Sequence, residues 1–157
     1  MAVFFLLVLA AGVSPPPQYL EIAASVAGAG LPACISYSPD GTTGPCLPSF
    51  AVKPGGKVGG LSTNGRIVFS HAATVRLTRD EFALLAGHEI AHYYLNHRRS
   101  TPQTELAADR LGAQLACQAG FDPAAGASLF RHLGTGATHP PPAQRRAAVM
   151  TVNCRRY

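Results

Sequence analysis

The sequence predicts an α+β fold that is mainly helical, with a small β-sheet or hairpin beside one of the helices. Five segments carry helix signals, whereas residues 38–65 are rich in glycine and proline and precede the strand-like run RIVFS at 66–70. The 157 residues are 47% hydrophobic and only 13% charged, a composition typical of a compact globular chain. We therefore expect a single domain over residues 14–157.

The first thirteen residues resemble a secretory signal peptide. The apolar run VFFLLVLAAGV at 3–13 would span about 16 Å as a helix, too short for a hydrocarbon core of about 30 Å. Ala10 and Gly12 offer a cleavage site before Ser14, although no Lys or Arg precedes the run. This pattern favours an exported protein, periplasmic or secreted, without a stable transmembrane segment. The alternative is an ordinary buried N-terminal helix.

Four cysteines fit an exported protein with two disulfides, for which three pairings are possible. We favour Cys34–Cys46, which would close a loop, and Cys117–Cys154, which would tie the end of the chain to a helix. Free buried thiols are the alternative interpretation.

The basic residues do not form a nucleic-acid-binding surface in the sequence. The net charge is +5, but the 13 Lys and Arg residues are scattered and no basic stripe interleaved with aromatic residues occurs. We therefore expect no nucleic-acid partner.

The first half of the chain contains one helix and one clear strand. Apolar residues recur at helical spacing over residues 18–29, and glycines end that run. Asn64-Gly65 is a hairpin-type turn, and the strand at 66–70 follows it. Residues 71–77 fit either a short helix or a continuation of the strand.

The second half of the chain is predicted to be helical. Thr78 can cap a helix, and Glu81, three residues later, can complete a capping box, so we expect a helix that runs to about Asn96. Three further helices are predicted over about 101–120, 122–134 and 142–152, with a proline near the start of each.

The motif HEIAH lies on the helix that follows Thr78. His88 and His92 are four residues apart, so both imidazoles project from one helix face and can reach one Zn²⁺ at about 2.0–2.1 Å. Glu89 lies about 100° around the helix, where it can contact a water held on the metal. His97, five residues past His92, lies off this face, and we expect it to be exposed near the helix end.

The next helix offers two carboxylates at the same spacing. Glu105 and Asp109 share a face, where they would repel each other without a nearby cation. Antiparallel packing of the two helices would bring Glu105 to the metal, and Asp109 could then accept the other ring N–H of His88 or His92. The alternative is that both carboxylates are exposed on the surface.

HEIAH and the downstream ELAAD together resemble the gluzincin peptidases, specifically metallopeptidase family 48 of the HtpX and CAAX prenyl protease type. Further stretches agree, and the resemblance covers about residues 64–148: NGRIVFSHAATVRLTRDEFALLAGHEIAHYYLNH, AGFDPAAGASLFRHL and THPPPAQRR. The chain lacks the transmembrane helices of the membrane-embedded members, so it is more similar to the soluble exported form.

This resemblance implies a zincin-like metallopeptidase domain that holds one Zn²⁺ per chain. His88, His92 and Glu105 would be the ligands, Glu89 the general base, and Asp109 a partner of the ligands.

The resemblance also places His139 and Arg145 near the active site as catalytic residues that steady an oxyanion or gate the metal. His139 could instead be part of a turn, and Arg146 competes with Arg145 for the matching position.

The expected function is zinc-dependent endopeptidase activity on a polypeptide substrate. The strand at 66–70 could present an open edge to an extended substrate. The alternative is a non-catalytic, zinc-stabilised binding module in which His139 closes the metal site.

Overall fold

The structure of the protein is a computed structural model that describes residues 17–29, 35–37, 43–45, 47–63 and 65–154. The expected signal peptide over 1–13 and the expected Cys34–Cys46 disulfide lie outside the described residues. Helices and a small sheet in the described part confirm the α+β class.

The helices follow the predicted order. The α-helices are α1 Pro17–Gly28, α2 His71–Arg76, α3 Arg79–Tyr94, α4 Pro102–Gln118, α5 Pro123–Gly126 and α6 Pro142–Met150. A 3₁₀ helix over Ala127–Arg131 continues α5, so the predicted helix over 122–134 is divided. The ambiguous segment after the strand is a helix, α2, which the Ser70 side chain caps by accepting a hydrogen bond from the Ala73 N–H.

The strands form two sheets. They are β1 Ile35–Tyr37, β2 Thr43–Pro45, β3 Ser49–Lys53, β4 Gly60–Thr63 and β5 Arg66–Ser70. β1 and β2 pair with each other, whereas the second sheet has the order β3-β5-β4. β4 and β5 form the predicted hairpin, with Gly65 at a φ of 75° in the turn.

β5 is the central strand of the three-stranded sheet. It pairs in parallel with β3 and antiparallel with β4, so the expectation that residues 66–70 present an open edge is wrong. The reason is that β3 pairs with the whole length of β5 on the edge opposite β4, a long-range contact. Within the described residues, β4 is the outer strand on the side of α3.

Helix α3 passes through the middle of the molecule. Its N-terminus has the predicted capping box between Thr78 and Glu81, and every residue from Glu81 to Ala91 is buried. The Glu81 carboxylate also accepts hydrogen bonds from Ser128 Oγ (2.6 Å) and Arg131 Nη2 (3.1 Å), which join α3 to the 3₁₀ helix. Because α3 is buried on all sides, its titratable groups need partners within the protein.

Helices α3 and α4 approach each other through two glycines. A Cβ on Gly87 would overlap the carbonyl oxygen of Gly112, and a Cβ on Gly112 would lie 2.5 Å from the backbone nitrogen of His88. The two backbones are therefore in direct contact one residue before the HEIAH motif.

The Cys117–Cys154 disulfide is confirmed, with a Cα–Cα distance of 5.6 Å. It joins the C-terminal end of α4 to the segment that follows α6. No helix among the described residues is long and apolar enough to cross a membrane.

Candidate metal centre

Three side chains from α3 and α4 direct one atom each toward a common point. Nε2 of His88 lies 3.1 Å from Nε2 of His92. Glu105 Oε2 lies 3.3 Å from His88 Nε2, and the other oxygen, Oε1, lies 3.4 Å from His92 Nε2. Atoms bound about 2.0–2.1 Å from a tetrahedral zinc ion are about 3.3–3.4 Å from one another. The cluster therefore has the spacing of a metal-ligand set.

The two oxygens of the Glu105 carboxylate differ in their hydrogen bonding. Its Oε1 accepts a hydrogen bond from Ser100 Oγ. Its buried Oε2 has no well-formed hydrogen bond among the described residues, but it faces His88 Nε2 at 3.3 Å and Arg145 Nη2 at 3.7 Å. Burial raises the pKa of this carboxyl, but the hydrogen bonds of His88 and His92 outweigh that effect and hold the pKa far below its usual range. A buried, ionised carboxylate that faces two imidazole nitrogens and lacks a full set of hydrogen bonds fits a bound cation.

Asp109 and Arg145 orient His88. Asp109 Oδ1 lies 2.9 Å from His88 Nδ1, which leaves His88 Nε2 to face the cluster. Arg145 donates to both oxygens of Asp109, from Nη2 at 2.7 Å and from Nε at 2.8 Å, and its guanidinium lies over the Phe130 ring. Arg145 is buried whereas Arg146 is exposed, so Arg145 is the arginine that reaches the site.

The charges around His88 favour its protonated form when no metal is bound. Burial lowers the pKa of His88, but the hydrogen bonds to Asp109 and Glu105 outweigh it and raise the pKa to about 9. The pKa of Asp109 is lowered, because its bonds to Arg145 and His88 outweigh the effect of burial. A metal ion that bound here at neutral pH would therefore have to displace a proton from His88.

The stability of the metal-free protein should fall as pH rises. The pKa of His88 is about 9 in the folded protein and about 6.5 in the unfolded chain, so its stabilising contribution is complete below about pH 6.5 and is lost as pH rises through about 9. The loss should be on the order of 3 kcal/mol in the free energy of unfolding. Guanidinium unfolding with a chelator present, at pH 6 and pH 9.5, measures it. A His88→Asn variant that shows the same pH dependence would contradict this assignment.

His97 does not lie where the sequence analysis placed it. Its Nδ1 is 2.9 Å from Nδ1 of His92, and its side chain is partly buried, so the prediction of an exposed residue off the ligand face is wrong. The reason is that α3 ends at Tyr94 and Asn96 has a φ of 51°, so the helical rotation of 100° per residue does not extend to His97.

Glu89 lies beside the cluster but is not part of it. It is buried, and it faces a cavity of about 360 Å³ that Leu85, His88 and Arg145 also line. A Cβ on Gly60 of β4 would lie 2.6 Å from the Glu89 Cγ, so only glycine at that position leaves room for this carboxylate. Burial raises the pKa of Glu89, an effect that His88 and His92 partly offset.

His139 borders the same cavity. Its Nε2 lies 3.7 Å from Glu105 Oε2, and its side chain is 45% exposed. The structure thus brings His139 next to the cluster, although it comes from the loop before α6.

A second cavity, of about 420 Å³, is lined by His92 and His97. Gly60 of β4 lines the first cavity, and Ser62 and Thr63 line the second. Both cavities therefore lie beside β4, with His88 lining the first and His92 lining the second.

Comparisons of this chain with protein-family models, with curated proteins and with solved structures found no match. Any functional assignment therefore depends on the residues and their geometry.

Three features of the site were not predicted from the sequence. They are the contact between His97 and His92, the glycine of β4 that makes room for Glu89, and the glycine pair that joins α3 to α4. Asn96 was the available signal for the first, because asparagine is one of the residues that adopts a left-handed conformation after a helix. The glycine contacts depend on long-range packing and have no local signal.

Proposed function

We propose that the protein is a zinc-dependent endopeptidase of the gluzincin type, with a zincin-like domain related to metallopeptidase family 48. The observation that carries the proposal is the His88–His92–Glu105 cluster, with Glu89 beside it facing the same cavity as His88. A ligand set with an adjacent free carboxylate is the arrangement that metal-assisted hydrolysis requires.

Zinc is the metal that these ligands favour. Two imidazole nitrogens and one carboxylate oxygen form a three-ligand set of the kind that catalytic zinc sites use, with the fourth position left for water. Magnesium and calcium prefer sites made of oxygen atoms alone, so the two histidines disfavour them.

The chain's own groups supply the proton transfers. A bound zinc ion would lower the pKa of water and polarise the scissile carbonyl. Glu89 accepts the proton of the attacking water and delivers it to the leaving amine, a role that suits a carboxyl whose pKa burial raises. His139, partly exposed at the edge of the cavity, can donate an N–H to the developing oxyanion.

The outer strand β4 provides a place for an extended polypeptide. Ser70 donates its backbone N–H to the carbonyl oxygen of Gly59 at 3.0 Å, and hydrogen-bonded pairs alternate along an antiparallel ladder. The backbone groups of Gly60 and Ser62 therefore point away from β5. A substrate strand that pairs with them would pass the cluster and Glu89, which supports a polypeptide substrate.

The disulfide favours an oxidising compartment. Disulfides such as Cys117–Cys154 persist in the periplasm and outside the cell and are rare in the cytosol. We therefore propose that the protein is exported, either to the periplasm or to the medium.

Metal removal tests the proposal. The purified protein should contain one zinc ion per chain by elemental analysis and should cleave casein. Treatment with 1,10-phenanthroline should abolish cleavage, because it removes the zinc ion that would activate the attacking water. Stoichiometric Zn²⁺ should restore cleavage. Protein that contains zinc and leaves casein and a mixed peptide library intact would overturn the enzymatic assignment.

That last outcome would favour a second candidate, a non-catalytic binding module stabilised by zinc. The specific observation in its favour is the position of His139, whose Nε2 is 3.7 Å from Glu105 Oε2 and could occupy the fourth position on the metal. Glu89 favours the enzyme, because a purely structural site needs no base beside it.

A further inference from the structure

We propose that His97 is a positioning residue, which fixes the ring of the ligand His92 as Asp109 fixes the ring of His88. This inference rests on the metal centre of the proposed function but not on peptide hydrolysis. His92 directs Nε2 at the cluster, so Nδ1 is its only free ring nitrogen, and that atom lies 2.9 Å from Nδ1 of His97.

The backbone after α3 places His97 for this contact. The N–H of His97 donates to the carbonyl oxygen of His92 at 3.0 Å, and the N–H of Asn96 donates to that of Tyr93 at 3.2 Å. These two bonds and the left-handed Asn96 form a Schellman motif after the C-cap residue Leu95. In this motif the second residue after the cap donates its N–H to the carbonyl oxygen of the third residue before the cap. Here those two residues are His97 and His92, so the helix ending itself brings the two imidazoles together.

The hydrogen bond selects the form of His92 that can bind a metal. One of the two Nδ1 atoms must donate, and His92 Nδ1–H donating to the lone pair of His97 Nδ1 leaves the His92 Nε2 lone pair free toward the cluster. The ring planes are 70° apart with centroids 5.0 Å apart, so the rings meet edge to face and do not stack. A ligand histidine held in this way binds metal more tightly, and loss of such a partner typically costs about 10–100-fold in affinity.

The carboxylates already present at the cluster explain why an imidazole suits the position of His97. His88 already has a carboxylate partner in Asp109, and Glu105 places a second carboxylate at the cluster. A neutral acceptor beside His92 fixes the tautomer without adding a further carboxylate to the three, Asp109, Glu105 and Glu89, that are already buried there.

Zinc affinity measured by competition with a chromogenic chelator tests the proposal. His97→Ala should weaken zinc binding about 10–100-fold. His97→Asn should stay within a few-fold of the unchanged protein, because the Asn carbonyl oxygen can accept the same hydrogen bond. Arg99→Ala, which alters a nearby exposed side chain, is the matched control and should bind zinc normally.

A second readout follows the proton itself. Long-range ¹H–¹⁵N spectra of the zinc-loaded protein should show His92 as the Nδ1–H tautomer, with a proton protected from exchange that becomes unprotected in His97→Ala. Unchanged affinity and an unchanged His92 signal in His97→Ala would overturn the proposal. Equal losses in the Ala and Asn variants would also overturn it, because packing rather than hydrogen bonding would then be the cause.

The two proposals fail in different ways. Wild-type protein that binds zinc but does not cleave peptides removes the enzymatic function and leaves the His97 comparison intact. Wild-type protein that does not bind zinc overturns both.

Discussion

Glu89→Gln is expected to lower the rate of peptide hydrolysis by about 10²–10⁴-fold, the contribution typical of a positioned general base. Glutamine has nearly the same shape and fits the space that Gly60 leaves, but its amide cannot accept the proton of the attacking water. His88, His92 and Glu105 are unchanged, so zinc content should remain at the level of the unchanged protein. The measurement is the initial rate of cleavage of a fluorogenic peptide, with zinc determined on the same samples.

The matched control for this variant is Glu21→Gln, which makes the same chemical change at an exposed position on α1. It should retain full activity. A Glu89→Gln protein that holds zinc and keeps more than a tenth of the activity would show that another group takes the proton.

Alanine at Gly87 or Gly112 is expected to disrupt the proposed metal centre without changing His88, His92 or Glu105. The added methyl group would overlap backbone atoms of the facing helix, which cannot move aside as a flexible side chain can. We expect each substitution to lower the free energy of unfolding by about 3 kcal/mol or more, at or above the upper end of the range for overpacking. Separation of α3 from α4 would also carry Glu105 away from the two histidines, so zinc affinity should fall at least about tenfold.

Chemical unfolding followed by circular dichroism measures the first effect, and chelator competition measures the second. Gly28→Ala is the control, because a Cβ at Gly28 meets nothing within 4 Å. This control should be neutral or slightly stabilising. Normal zinc affinity in Gly87→Ala would show that the close approach of the helices is not needed for the site.

The parts of the fold with local signals were predictable from the sequence. The capping box of Thr78 and Glu81 sets the start of α3, and the four-residue spacing within each helix sets which side chains share a face. Those two facts were enough to place His88, His92 and Glu105 at one point once α3 and α4 packed together.

The parts that depend on tertiary contacts were not predictable. Parallel pairing of β3 with β5 joins segments separated by a glycine-rich stretch, and no local pattern in residues 49–53 indicates it. His97 was assigned by extending the helical rotation past Tyr94, although the chain turns away from that rotation at Asn96. A helical projection is valid only as far as the helix continues.

The Cys117–Cys154 bond has a practical consequence for producing the protein. The bond joins residues 37 positions apart and closes a ring that includes Arg145. A ring of that size lowers the conformational entropy of the unfolded chain, which stabilises the folded protein by about 4 kcal/mol. In a host compartment where glutathione keeps thiols reduced, Arg145 must return to Asp109 without that restraint. Recombinant material from the cytosol of a laboratory strain should therefore give lower yield and more heterogeneous zinc loading than material that matures in an oxidising host compartment.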